Sequence, residues 1–208
     1  MPREARRSSP PLTGSSFVRA LAALDGTPAP AAQDDAFAQR LSRWFDWTQA
    51  ISLAAALGEA ACRSTAGIAS RSADERELAR VRNALQKMLA DTCRDLAPDF
   101  AALRQQLLAC QLAMEAQIGP LRRRVRASLM KSPLARLAQI DAVMEQALAA
   151  REHSLLAGAL ARLEARQRAQ REGFGREVQT LLLAELELRL QPVEGLIEAG
   201  RPTASEGT

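Results

Sequence analysis

Nine apolar residues between positions 100 and 129 recur at gaps of three and four: Phe100, Leu103, Leu107, Cys110, Met114, Ile118, Leu121, Val125 and Leu129. That spacing keeps one stripe of an α-helix apolar. Sustained over about four heptads, it has the character of a coiled-coil seam. The seam passes through Gly119-Pro120, where proline removes one helical hydrogen bond and crowds the preceding turn. A kink or a break with immediate restart is expected there. Pro98 suits a first helical turn, where a missing N–H costs nothing.

Lys131-Ser132-Pro133 then reads as a reversal, with Ser132 as N-cap and Pro133 as the first helical residue of a second arm. Leu134, Leu137, Ile140, Met144, Leu148, Leu155 and Leu163 form its apolar positions, with Ala147 and Ala159 between them. Gly173-Phe174-Gly175 ends it. The expected fold is all-α: an elongated helical bundle built on a long antiparallel helical hairpin over residues 98–172, coiled-coil-like in its packing.

Composition supports that class. Alanine, leucine, arginine, glutamate and glutamine are strong helix formers. Tyrosine is absent and aromatics make up 3%, whereas strand-rich folds draw on aromatic and β-branched residues. Of the 28 basic residues only Lys87 and Lys131 are lysine. With so much alanine, this points to a GC-rich genome rather than to a binding function. A net charge of +4 is small for a dedicated nucleic-acid binder.

Along the chain, residues 1–14 read as a disordered basic tail, not as a secretory or twin-arginine signal. Residues 15–60 read as an N-terminal helical segment holding a tryptophan cluster, and 61–73 as a linker. Residues 74–200 read as the bundle with the hairpin, and 201–208 as a disordered tail. Ser72-Ala-Asp-Glu75 is a capping box for a helix carrying Leu78, Val81, Leu85, Met88 or Leu89, and Leu96. A further amphipathic helix spans Arg176 to Gln191 on Val178, Leu181, Leu182, Leu186 and Leu190. Pro192 and Gly195 weaken its end, and Glu177, Glu185, Glu187, Glu194 and Glu198 make that tail acidic.

Two clusters stand out as binding candidates. Trp44, Phe45 and Trp47 hold both tryptophans of the chain. Arg40 and Arg43 lie four residues before each tryptophan, a spacing suited to cation–π stacking. The cluster serves either as a hydrophobic plug of the bundle or as a protein-docking site, since tryptophan is favoured at interface hot spots. Arg122, Arg123, Arg124, Arg126 and Lys131 form a basic run without an intervening acid, a candidate for phosphates, acidic lipid or an acidic protein surface. The acidic tail can neutralise it, within one chain or between two. No aromatics are interleaved for base stacking, so nucleic acid ranks below protein as a partner.

Catalysis is not expected. His153 is the only histidine, and no Gly-rich phosphate loop or nucleophile elbow occurs. Cys62, Cys93 and Cys110 form no C-x-x-C pair and read as reduced, buried thiols. No metal site and no cofactor is expected.

The stretches Ser16-Phe-Val-Arg-Ala-Leu-Ala-Ala-Leu24 and Phe37-Ala-Gln-Arg-Leu-Ser-Arg-Trp-Phe-Asp-Trp-Thr-Gln-Ala-Ile-Ser-Leu-Ala-Ala-Ala-Leu57 resemble an uncharacterised family of proteobacterial proteins, a domain of unknown function. The likeness is best over residues 15–60. Beyond them it rests on length and on helical, arginine-rich character. The resemblance implies a cytoplasmic accessory protein encoded beside membrane proteins similar to flagellar-stator or Tol-type proton channels and beside OmpA-like proteins. It carries over no catalytic residue. The expected function is a non-enzymatic helical scaffold or adaptor, with a membrane complex or a second copy of the chain as partner. Nucleic-acid binding through residues 122–131 is the alternative.

Overall fold

A computed structural model describes residues 16–26, 51, 68–169 and 173–200. The tails at 1–14 and 201–208, and the cluster of Arg40, Arg43, Trp44, Phe45 and Trp47, lie outside the described residues. So does Cys62.

The described residues are all-helical. Five helices follow in order: α1 (Ser16–Leu24), α2 (Ile68–Arg94), α3 (Phe100–Leu129), α4 (Ala135–Ala169) and α5 (Phe174–Ala199). No described helix is long and apolar enough to cross a membrane.

The seam of α3 is its buried stripe. Leu103, Leu107, Cys110, Met114, Ile118, Leu121, Val125 and Leu129 are all buried. Phe100, at the first residue of the helix, is only partly covered and packs at the edge of the core. The helix continues through Pro120 as one element. It starts two residues later than the proline signal suggests, leaving Pro98 just before the cap. Asp99 is the N-cap, with extended backbone and a carboxylate that accepts the Ala102 N–H at 3.1 Å. A carboxylate at this position meets one of the orphan amides of the first turn.

Ser132 makes the turn between α3 and α4. Its hydroxyl donates to the Leu129 carbonyl at 2.8 Å and accepts the Leu134 N–H at 3.1 Å. One side chain thus closes the end of one helix and opens the next. At the other end of α4, Gln167 donates to the carbonyl of Pro98. Gly173, with φ of +76°, precedes α5 and accepts the Arg176 and Glu177 amides through its carbonyl. A side chain at that φ is strained, so glycine is favoured there.

Other helix boundaries also differ from expectation: α4 begins at Ala135, not at Pro133, and α5 at Phe174, not at Arg176. The second helix begins at Ile68, inside the stretch expected to be a linker and upstream of the Ser72 capping box. Nothing between Ile68 and Ser72 breaks a helix. The last helix runs to Ala199, beyond Pro192 and Gly195. Proline there removes the hydrogen bond to the Leu188 carbonyl. Burial of Val193, Leu196 and Ile197 on either side of Gly195 offsets that local loss.

The core centres on α5, which packs against each of the other four helices. Its buried positions include Leu181, Leu182, Ala184, Glu185 and Leu186, on more than one face. That is wider coverage than a one-sided surface helix has, although Arg176, Thr180, Glu187 and Gln191 stay exposed along one stripe. α2 contributes Leu78, Val81, Leu85 and Leu89, with Met88 only partly covered. α1 adds Phe17 and Leu21, and is tied down by Ser16 to Glu187 and by Asp25 to Arg162 at 2.8 Å.

Cys93 and Cys110 are free thiols. Burial pushes Cys93 up to about 11, and burial also raises Cys110 against an opposing hydrogen bond to Thr92. In a Cys62→Ser chain, Cys93 should alkylate with iodoacetamide about a hundredfold more slowly in the folded than in the unfolded protein, following its thiolate fraction. Peptide mapping over time measures this. Equal rates would show that the thiol is open to solvent.

A candidate docking groove between α3, α4 and α5

α4 buries little: Ala138, Ala147, Leu156, Ala159 and Leu163. Its other apolar positions are not sealed in a core. Met144, Leu148 and Leu155 face a groove of about 1130 Å³ that α3 and the C-terminal half of α5 complete. From α3 come Leu108 and Leu112, four residues apart and off the buried seam. α5 adds Leu188 and Pro192. The rim is left uncovered, with Leu112 71% exposed and Leu108 and Leu155 each 39%. Isolated exposed leucines are ordinary on a protein surface, but leucines grouped around one groove are a recognised mark of an interaction site.

Polar groups at one wall are held by a network anchored inside. Glu185 is 1% exposed. Its carboxylate accepts from Arg189 Nε at 3.0 Å and from Gln111 Nε2 at 3.1 Å. Arg189 also donates to Glu115 at 3.0 Å. Burial raises the Glu185 carboxyl above its ordinary range, and the nearby Glu152 adds to this. Arg189 and Gln111 pull it back only in part. Gln111, Glu115 and Arg189 line the groove, so Glu185 positions its polar side from beneath.

The basic run is divided between two faces of α3. Arg122 makes a two-pronged contact with Asp141, Nε to Oδ2 at 2.9 Å and Nη2 to Oδ1 at 2.7 Å, with both side chains largely covered. Arg126 meets Glu145 at 2.5 Å and Asp141 at 3.4 Å. Burial works against the charge on Arg122, yet Asp141, Glu145 and Glu152 raise its pKa above the ordinary value. Arg124 points to α2, meeting Asp74 at 3.3 Å and Glu77 at 3.8 Å. Arg123 and Lys131 are exposed and make no ion pair among the described residues. The acids that balance this run therefore sit on α2 and α4. Of the α5 glutamates expected to do so, Glu177 pairs with Arg166, Glu185 with Arg189 and Glu194 with Arg82.

His153 is exposed and lies on the groove wall beside Glu152. Among the described residues, no group of three or more His, Cys, Asp or Glu is placed to hold a metal ion. The sequence pattern named Leu148 and Leu155 as packing positions of the second arm but gave no place to Leu108, Leu112 or the partners of Glu185. Leu108 and Leu112 had a signal, since they form an apolar i,i+4 pair outside the seam.

No curated protein and no solved structure matches the chain. One family model does, over residues 1–201, under the description "Protein of unknown function (DUF3348)", and the chain belongs to that family.

Proposed function

We propose that this protein is a non-enzymatic helical adaptor that binds other proteins through the groove between α3, α4 and α5. The observation that carries this reading is the set of uncovered leucines, Leu108, Leu112 and Leu155, around an apolar groove. Amphipathic helices recognise such grooves through apolar residues at i, i+3, i+4 and i+7. In this reading α3 and α4 form the long antiparallel, coiled-coil-like hairpin of an elongated bundle, and the protein acts in the cytoplasm as an accessory to a membrane proton-channel-like complex. The cluster of Trp44, Phe45 and Trp47, with Arg40 and Arg43, is a second contact surface of the same adaptor.

Nucleic-acid binding has less support. Arg122, Arg124 and Arg126 already have carboxylate partners. A phosphate backbone would have to displace them, and the chain's small positive charge offers little compensation.

Capture of the tagged full-length protein from its native cell, after nuclease treatment, tests the reading. The wild type should retain a discrete protein partner. A Leu112→Glu, Leu155→Glu variant should lose it with the helical circular dichroism unchanged. Retention by the folded variant removes the groove from the account.

A further inference from the structure

The chain between α1 and α2 begins at one end of the groove and finishes at the other. Asp25, one residue before Gly26 where the N-terminal stretch stops, pairs with Arg162 on α4 at 2.8 Å. Arg162 sits among Leu160, Ala161 and Glu164, which line the groove. The next continuous stretch is α2, from Ile68. Asp74 in that helix meets Arg124 of α3, two positions past Arg122, the groove residue that pairs with Asp141 of α4. From Arg162 to Asp141 is about 30 Å along α4 at 1.5 Å per residue. The chain joining Gly26 to Ile68 therefore has to travel about the length of the groove, in the groove's direction.

Its sequence suits that path. Phe37 to Leu57, read as one helix, is also about 30 Å long, with roughly ten residues left on either side to reach α1 and α2. Phe37, Leu41, Trp44 and Ile51 fall on one face of that helix. Ile51, the one described residue between 27 and 67, is helical and 53% exposed. Of the other exposed large apolar side chains among the described residues, Leu108, Leu112 and Leu155 flank the groove, and Met130 stands at the turn after α3. An apolar helix face following this path finds its apolar cover in the groove.

Size favours a tethered occupant. The groove's accessible surface is well below the roughly 800 Å² that each partner gives to a stable two-chain interface. A linked segment manages with less contact, because tethering presents it at an effective concentration on the order of millimolar.

We propose that the chain's own residues 37–57 fill the groove in the free protein, with Trp44 and Trp47 against Leu108, Leu112 and Leu155. This rests on reading the groove as a helix-binding surface and names its first occupant. A partner helix enters by displacing the segment, and the released tryptophans add the further surface that a contact in trans needs.

A photoreactive amino acid at position 112 of the purified full chain tests the proposal, in an equal mixture of isotope-labelled and unlabelled protein. The crosslink should join position 112 to a peptide from residues 37–57 of the same chain, so each adduct carries a single label. Intrinsic emission gives a second readout, because Trp44 and Trp47 are the only tryptophans. Leu112→Glu with Leu155→Glu should shift it to the red with the helical circular dichroism unchanged. If glutamate disturbs folding, Leu112→Ser with Leu155→Ser replaces that pair. Adducts carrying both labels assign the groove to a second copy and overturn the proposal. So does an unmoved emission spectrum in the folded variant, or a crosslink confined to other residues. The single-label adduct in a chain that captures no partner upholds this proposal and overturns the adaptor reading. A captured partner without that adduct does the reverse.

Discussion

Truncating Glu185 to alanine is expected to destabilise the protein by about 3–5 kcal/mol, the range for leaving one member of a buried ion pair alone. Arg189 is only 11% exposed at its side chain, and Glu185 is its covered partner. Its other partner, Glu115, is 68% exposed. A contact to so open a carboxylate is worth little. The variant therefore strands a guanidinium and orphans Gln111 at the same time. Replacing both members, Glu185→Leu with Arg189→Met, should recover most of the loss, because a well-packed apolar pair dispenses with two desolvated charges. Urea unfolding at one fixed protein concentration measures both. A cost below about 1 kcal/mol for Glu185→Ala would mean that water already reaches the network.

The same residue sets a pH dependence. Its carboxyl is raised above the ordinary 4.5 in the folded protein, chiefly by burial. Between that value and the raised one, the folded state holds a proton that the unfolded state has released. Falling pH therefore stabilises this site, and the cost of the buried charge is fully present above the folded pKa. Glu185→Gln carries no such cost. Its stability relative to the wild type should increase as pH rises from 4.5 toward neutrality. A difference that stays flat over that range would show that Glu185 titrates normally.

The second large effect is expected at Leu190. It is 1% exposed on α5, the helix that every other described helix touches. Leu190→Ala should cost about 2–5 kcal/mol, from lost burial plus the cavity left between helices that cannot all collapse inward. Leu190→Met keeps the volume and should cost less than about 1.5 kcal/mol. If alanine were as mild as methionine at this site, α5 would not be the packing centre.

Much of the helical layout was legible in the chain. The α3 stripe followed from spacing alone, and so did Val178, Leu181, Leu182, Leu186 and Leu190 on α5, because period-3.6 patterns report which side of a helix is covered. The central place of α5 was less visible. Its proline and its glutamates resemble a fraying, solvated end, and only the surrounding helices turn Glu185 inward. The partners of the arginine run were illegible for a related reason. Arg122 and Asp141 are 19 positions apart, and Arg124 and Asp74 are 50 apart, so their pairing depends on how α2, α3 and α4 pack. The groove lay between these cases. Leu108 and Leu112 stand off the seam in plain sight, but apolar spacing on α4 cannot tell a sealed core from an open wall. Leu155 was expected in the core and is 39% exposed, while its neighbour Leu156 is buried.

The most direct measurement is site-specific photocrosslinking in the native cell, with a photoreactive amino acid at position 112 and, as a control, at the exposed Arg80 on α2. The account predicts a discrete protein adduct from position 112, with a second copy of the chain or with another protein, and none from position 80. No adduct from position 112, or the same adducts from both positions, would contradict a protein-binding groove.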